Sequence, residues 1–260
     1  MSYAAGVTEQ AYDPDIDLSE YVEGVRDALA AFVDAVHRAG LDADVPTCPG
    51  WTVRQLVAHQ GMIHRWATAQ LRGDRAAVEP AEGEGPDVAD PVGWLHDGGL
   101  DLVDAIESAA DDVDAVVFLH DAPTSPRVFW ARRQCHETTI HAVDALAAAL
   151  GRFPSAADTG ITREIAIDGI DELERGFVTR SRSPLRSETP VSFSIRPTDV
   201  HDSWQVQVSS EPAVSTRGKH QHADVVLEGT AVQLYLALWN RTEEVQPDGF
   251  DLWRRSARII

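Results

Sequence analysis

The residues best suited to chemistry lie together in Arg132-Arg133-Gln134-Cys135-His136-Glu137-Thr138-Thr139-Ile140-His141-Ala142-Val143-Asp144. On an α-helix Glu137 and His141 are four residues apart and Asp144 is three further on, so all three leave from nearly one face. A carboxylate and an imidazole one turn apart make half of a metal site. The zinc-protease pattern HExxH fails: where His136-Glu137 would need a second histidine stands Ile140. His136 and His141, five apart, diverge by about 140° at roughly 100° per residue and pair poorly. Spacing alone favours an ordinary i,i+4 hydrogen bond between Glu137 and His141. A metal reading therefore needs a ligand from another element.

Those elements follow from periodicity. Leu18, Tyr21, Val22, Val25, Leu29, Phe32, Val33 and Val36 recur at steps of three and four up to Gly40, which predicts a long amphipathic helix. The run from Asp44 to Thr52 holds two prolines and a glycine and reads as a loop, with Thr52 as N-cap of a second helix reaching about Leu71. His59 sits on that helix among Leu56, Met62 and Ile63. A third helix is expected from Pro91 to about Asp111 and a fourth from about Arg127 to Leu150, carrying the motif. Residues 1–16 read as a polar lead-in and 73–90 as a solvated loop. Four helices joined by loops predict a bundle, in which metal ligands come from facing helices. His59 can then complete a two-histidine, one-glutamate set with open positions, the pattern of a catalytic zinc site.

After Gly151 the pattern changes. A helix is expected from about Ile161 to Phe177, strands around Val191-Phe193-Ile195, Trp204-Val206-Val208 and Val225-Leu227, a helix from Gly229-Thr230 and a short last helix from Phe250. This second part is α+β, and a boundary is placed near residue 155, giving domains 1–155 and 156–260.

Composition excludes several function classes. The formal charge of −20, from 22 basic and 42 acidic residues, repels both nucleic-acid backbones and anionic membranes. No run of about 18 apolar residues occurs, and the start lacks a signal peptide's basic and apolar regions, so the chain reads as cytoplasmic. Cys48 and Cys135 form no CxxC and read as free thiols. Arg132 and Arg133 read as solvated, with an acidic cosubstrate as the alternative. Asp144 reads equally as an orienting partner of a ligand or as an ordinary salt bridge.

Three stretches, Pro46 to His59, Arg132 to Asp144 and Gly229 to Arg241, resemble three motifs of the mycothiol-dependent maleylpyruvate isomerase family, in the same order and across almost the whole chain. The resemblance implies a DinB-like four-helix bundle followed by a small α+β domain similar to sterol-carrier folds. It implies a divalent metal, usually zinc, held by His59, Glu137 and His141, and mycothiol, the actinobacterial small thiol, as cosubstrate. Arg241 matches the family's C-terminal arginine and is expected to offset charge on an acidic or electrophilic small substrate. The expected chemistry is a metal-bound thiolate attacking that substrate, in a cis–trans isomerase or an S-transferase. A non-catalytic zinc or thiol sensor or carrier, and a metal-dependent hydrolase, are the alternatives. Ala142-Val143 and Cys135 depart from the family pattern and are expected to reshape the pocket.

Overall fold

The computed structural model describes residues 16–77, 88–119, 121–218 and 222–256. Most of the expected lead-in over 1–16, and the greater part of the loop at 73–90, lie outside the described residues. Four long helices come first: α1 (Leu18–Ala39), α2 (Val53–Leu71), α3 (Pro91–Ser108) and α4 (Pro126–Leu150). Their ends lie where the sequence places caps. Asp17 and Glu20 cap each other's backbone at the start of α1, the Gln55 side chain accepts from the Thr52 amide at 2.9 Å, and Pro91 and Pro126 occupy the first turns of α3 and α4. Helix α4 lies along α1 and against α2. It is buried nearly along its whole length, from Phe129 through Ala145.

The second half begins with α5 (Arg163–Asp171), which runs directly into a π-helical turn, Glu172–Phe177. There the Val178 amide donates to Leu173 O at 3.0 Å, one residue further back than in an α-helix. A continuous helix to Phe177 was expected. A π turn has no signature in apolar spacing, yet it decides where Glu172 and Phe177 point. Strands β1 (Val191–Pro197), β2 (Trp204–Val208), β3 (Val214–Arg217) and β4 (Val225–Gly229) form one sheet in the order β3-β2-β1-β4, with β1 parallel to β4 and the other pairs antiparallel. Strand β3, absent from the sequence expectation, is an edge strand with half-exposed and exposed residues. The backbone ladder to β2 holds it, so no apolar alternation marks it. Helices α6 (Ala231–Leu238) and α7 (Asp251–Ser256) complete the chain.

One apolar cluster runs from Tyr21, Leu102 and Trp130 through Ile170 and Leu173 to Phe193, Trp204 and Trp253. Architecture changes near residue 155, but the core continues across that point. A second cluster, including Phe32, Val45, Leu56, Leu95 and Ala145, packs α1, α2 and the 44–52 loop against the later turns of α4. Each fully buried Leu or Phe side chain contributes about 1.5–3 kcal/mol, so both clusters hold α4 firmly. Among the described residues no helix is long and apolar enough to cross a membrane.

Candidate metal centre

Helices α2 and α4 bring His59, Glu137 and His141 together, with one potential ligand atom from each within 4.8 Å of the others. Glu137 Oε1 lies 3.3 Å from His141 Nε2 and 3.8 Å from His59 Nε2. The edge of a tetrahedron with bonds of about 2.1 Å is about 3.4 Å, so the three donors stand near ligand spacing. The His59 and His141 rings meet edge-on, 5.2 Å between centroids, and Trp51 forms a wall at 5.2 Å from His59.

Two observations test whether these residues fit a divalent ion. His59 Nε2 is buried and has no hydrogen-bond partner among the described residues, an expensive arrangement for a polar atom unless something binds it. His141 uses Nδ1 to reach Asp144 Oδ2 at 2.9 Å, which leaves Nε2 facing Glu137. That is the carboxylate–histidine arrangement found behind metal ligands. The residues fit. The site also reaches solvent, since the His59 and Glu137 side chains are 11% and 19% exposed.

The charges around the centre are paired. Burial by itself would raise the Glu137 carboxyl, but Arg133 and the neighbouring His141 and His59 imidazoles outweigh it and hold it well below the usual range. Burial would lower His141, yet Asp144 and Glu137 lift it to about 9. Asp144 is likewise depressed against its burial, chiefly by Arg241.

Asp144 is the hub of a dry network. Thr47 Oγ1 donates to its Oδ1 at 2.6 Å, and Arg241 donates from Nε at 2.9 Å and Nη2 at 3.0 Å. Local backbone explains both arrivals. Gly50, at φ +90°, lets the 44–52 loop fold back so that Val45 N–H bonds Trp51 O at 2.9 Å, which holds Thr47 and Trp51 at the site. Asn240, left-handed at φ 60°, ends α6 and returns the Arg241 amide to Leu236 O at 2.7 Å. Arg241 was expected to offset charge on a substrate. Its side chain is 4% exposed and forked onto Asp144, so its charge is met inside the protein.

Arg132 and Arg133 are not solvated: each is 2% exposed. Arg132 pairs with Asp168 at 2.9 Å, and Arg133 with Glu137 at 2.7 Å and with Glu172. Thr47 and Glu172, which contact Asp144 and Arg133, were not singled out by sequence, and Arg133 was read there only as solvated or as facing an acidic cosubstrate. A signal existed for Arg133: apolar residues occur on every side of α4, so a charge within it must find a buried partner. Cys48 is buried, its Sγ 3.6 Å from Arg241 Nη2, and burial with the nearby Asp144 charge pushes its thiol up to about 12. Both disfavour the thiolate, the form that acts as nucleophile. Cys135 does not reshape the pocket, since it packs against α1, where a Cβ on Gly24 would lie 2.5 Å from its sulfur. Ala142 and Val143 line a separate cavity of about 440 Å³ on the opposite flank of α4.

The family signature described as the mycothiol maleylpyruvate isomerase N-terminal domain matches residues 22–146, and the corresponding C-terminal domain signature matches residues 164–249. Among solved structures, the chain is similar to the mycothiol-dependent maleylpyruvate isomerase at 14% identity and TM-score 0.54, and to a point mutant of that enzyme at 14% and 0.56, covering 90% of this chain and 94% of theirs in both cases. At that identity the likeness concerns the fold. No curated protein sequence matches the chain. With both domain signatures present in order and spanning most of the sequence, the chain belongs to the mycothiol-dependent maleylpyruvate isomerase family.

Proposed function

We propose that this protein is a metal-dependent enzyme that uses mycothiol to isomerise a small acidic electrophile, with His59, Glu137 and His141 as the metal ligands. The observation that carries the reading is the buried, unpartnered Nε2 of His59 facing Glu137 and His141. A divalent ion there, zinc by the chemistry of two imidazoles and one carboxylate, would supply the Lewis acidity that brings a thiol's pKa toward neutrality.

The chain's own residues do the rest. Arg133 is neutralised by Glu172 and Arg241 by Asp144, so with Glu137 the loaded centre carries one net positive charge. That balance favours one anion, a thiolate or a substrate carboxylate. Trp51 closes one side and limits water. Arg241 enters this reading through Asp144: it keeps Asp144 ionised and aligned, and Asp144 holds the His141 ring with Nε2 toward the site. Addition of the thiol sulfur to one carbon of a cis double bond leaves a single bond free to rotate. Elimination then restores the double bond as trans and returns the thiol. Release of the adduct instead would make the protein an S-transferase.

The test is metal analysis followed by turnover. Purified protein should hold one equivalent of divalent metal, His59→Ala should hold none, and only the former should isomerise maleylpyruvate when mycothiol is added. Metal-loaded protein that neither turns over nor consumes thiol with any small electrophile would sink the enzymatic reading. Appearance of a stable thioether would redirect it to transfer.

A further inference from the structure

Glu137 offers its two oxygens to different neighbours. Oε1 faces the imidazoles at 3.3 and 3.8 Å, whereas Oε2 accepts from Arg133 Nη2 at 2.7 Å. The other arm of the guanidinium, Nη1, donates to Glu172, the first residue of the π turn. Arg133 lies under two aromatic rings, 4.9 Å from the Phe177 centroid and 5.8 Å from that of Trp239. An i,i+4 pair on a helix surface swings freely and contributes little. Here the guanidinium is pinned by a carboxylate on each side and covered by the two rings.

A carboxylate beside a divalent cation can bind through one oxygen or two. Arg133 takes one lone pair of Oε2 and fixes the carboxylate plane, so Oε1 is the oxygen turned toward the imidazoles. Glu172 and Phe177, the first and last residues of the six-residue π turn, both reach Arg133 because the turn is widened by a residue. We propose that Arg133 is a positioning residue which, held by Glu172 and Phe177, restricts Glu137 to one-oxygen ligation. The C-terminal half thereby sets the coordination number at a centre whose ligands all lie in the N-terminal half. The inference rests on the metal-binding reading above and deepens it: the positions left open by the second Glu137 oxygen are those a thiol and a substrate oxygen would share.

Full-length protein loaded with Co(II) tests it, because visible absorption of cobalt weakens as coordination number rises. In Arg133→Gln, Glu137 is free to use both oxygens, so the visible band falls at least roughly twofold at unchanged cobalt stoichiometry. Glu172→Gln keeps the arginine but loosens it and gives an intermediate spectrum. Arg133→Lys restores one bond and part of the intensity. A merely structural Arg133 would lower the melting temperature of the metal-free protein and leave the cobalt spectrum unmoved in all three variants, which would overturn the proposal. Should Arg133→Gln fail to fold, the Glu172→Gln and Arg133→Lys spectra decide the matter alone. Parent protein that takes up no cobalt would overturn the metal reading itself, and is told apart from the former result by its missing stoichiometry.

Discussion

Helix α4 carries two clusters made of the same parts, a histidine, carboxylates and an arginine, and they serve different ends. In the first, His136 Nε2 lies 2.7 Å from Asp168, Asp168 also accepts from Arg132, and Tyr235 OH stands 3.3 Å from His136 Nδ1. All of these groups are buried and each has a partner. In the second, around His141, the supporting groups Asp144, Arg241 and Thr47 are equally dry, but Glu137 reaches solvent and His59 Nε2 has no partner among the described residues. Residue type does not separate these clusters. What separates them is whether any donor atom is left over, pointing at the others.

The largest effect should break the two apart by stability. Asp168→Asn leaves Arg132 and His136 without the carboxylate they share, and breaking a buried ion pair costs about 3–5 kcal/mol. Chemical denaturation of metal-free protein should show that loss, while the folded fraction still binds metal. His59→Ala should do the opposite, with little change in metal-free stability and complete loss of the metal. Equal destabilisation by both substitutions would erase the distinction.

A finer test stays inside the second cluster. Asp144→Asn keeps an acceptor for His141 but removes the charge that Arg241 pairs with, and loss of such an outer partner lowers metal affinity about 10–100-fold. Chelator competition measures this directly. An unchanged affinity would mean that the Thr47–Asp144–Arg241 network belongs with the structural cluster.

The sequence reached one of these clusters more easily than the other. Helix limits were legible because caps, prolines and apolar steps agree, and the spacing of Glu137 and His141 makes them face one way on any helix. His59 needed the bundle as a further premise. For Arg132 and Arg133 the apolar residues on every side of α4 signalled burial, but not which groups they would meet. Their partners Asp168 and Glu172 come from the far side of the 155 region, and no local pattern announces that α5 will cover them. The π turn was invisible for the same reason: it shifts hydrogen bonds by one residue without altering which positions are apolar. Strand β3 lacked even an apolar face. Local physics writes helices and ligand stripes into a sequence, whereas buried charge pairing is a property of two distant segments meeting.

Glu174 is a leftover group outside both clusters. Its carboxylate is fully buried in the π turn, and neither oxygen has a hydrogen-bond partner among the described residues. Yet it belongs to no group of converging ligand atoms, since His59, Glu137 and His141 form the one such group among those residues. Burial, with the Asp171 charge adding to it, raises its carboxyl well above the ordinary value of 4.5. The native protein therefore retains a proton that the unfolded chain has released. By linkage, stability is highest below the unfolded pKa and declines as pH rises toward the folded one, by up to about 1.4 kcal/mol per pH unit from this group. Glu174→Gln cannot ionise, so its unfolding free energy should match the parent's near pH 4 and exceed it increasingly toward pH 7. A constant difference across that range would show that Glu174 is ionised and paired in the fold. The expected widening would show that an orphan atom alone marks strain and that only convergence with other donors marks a site.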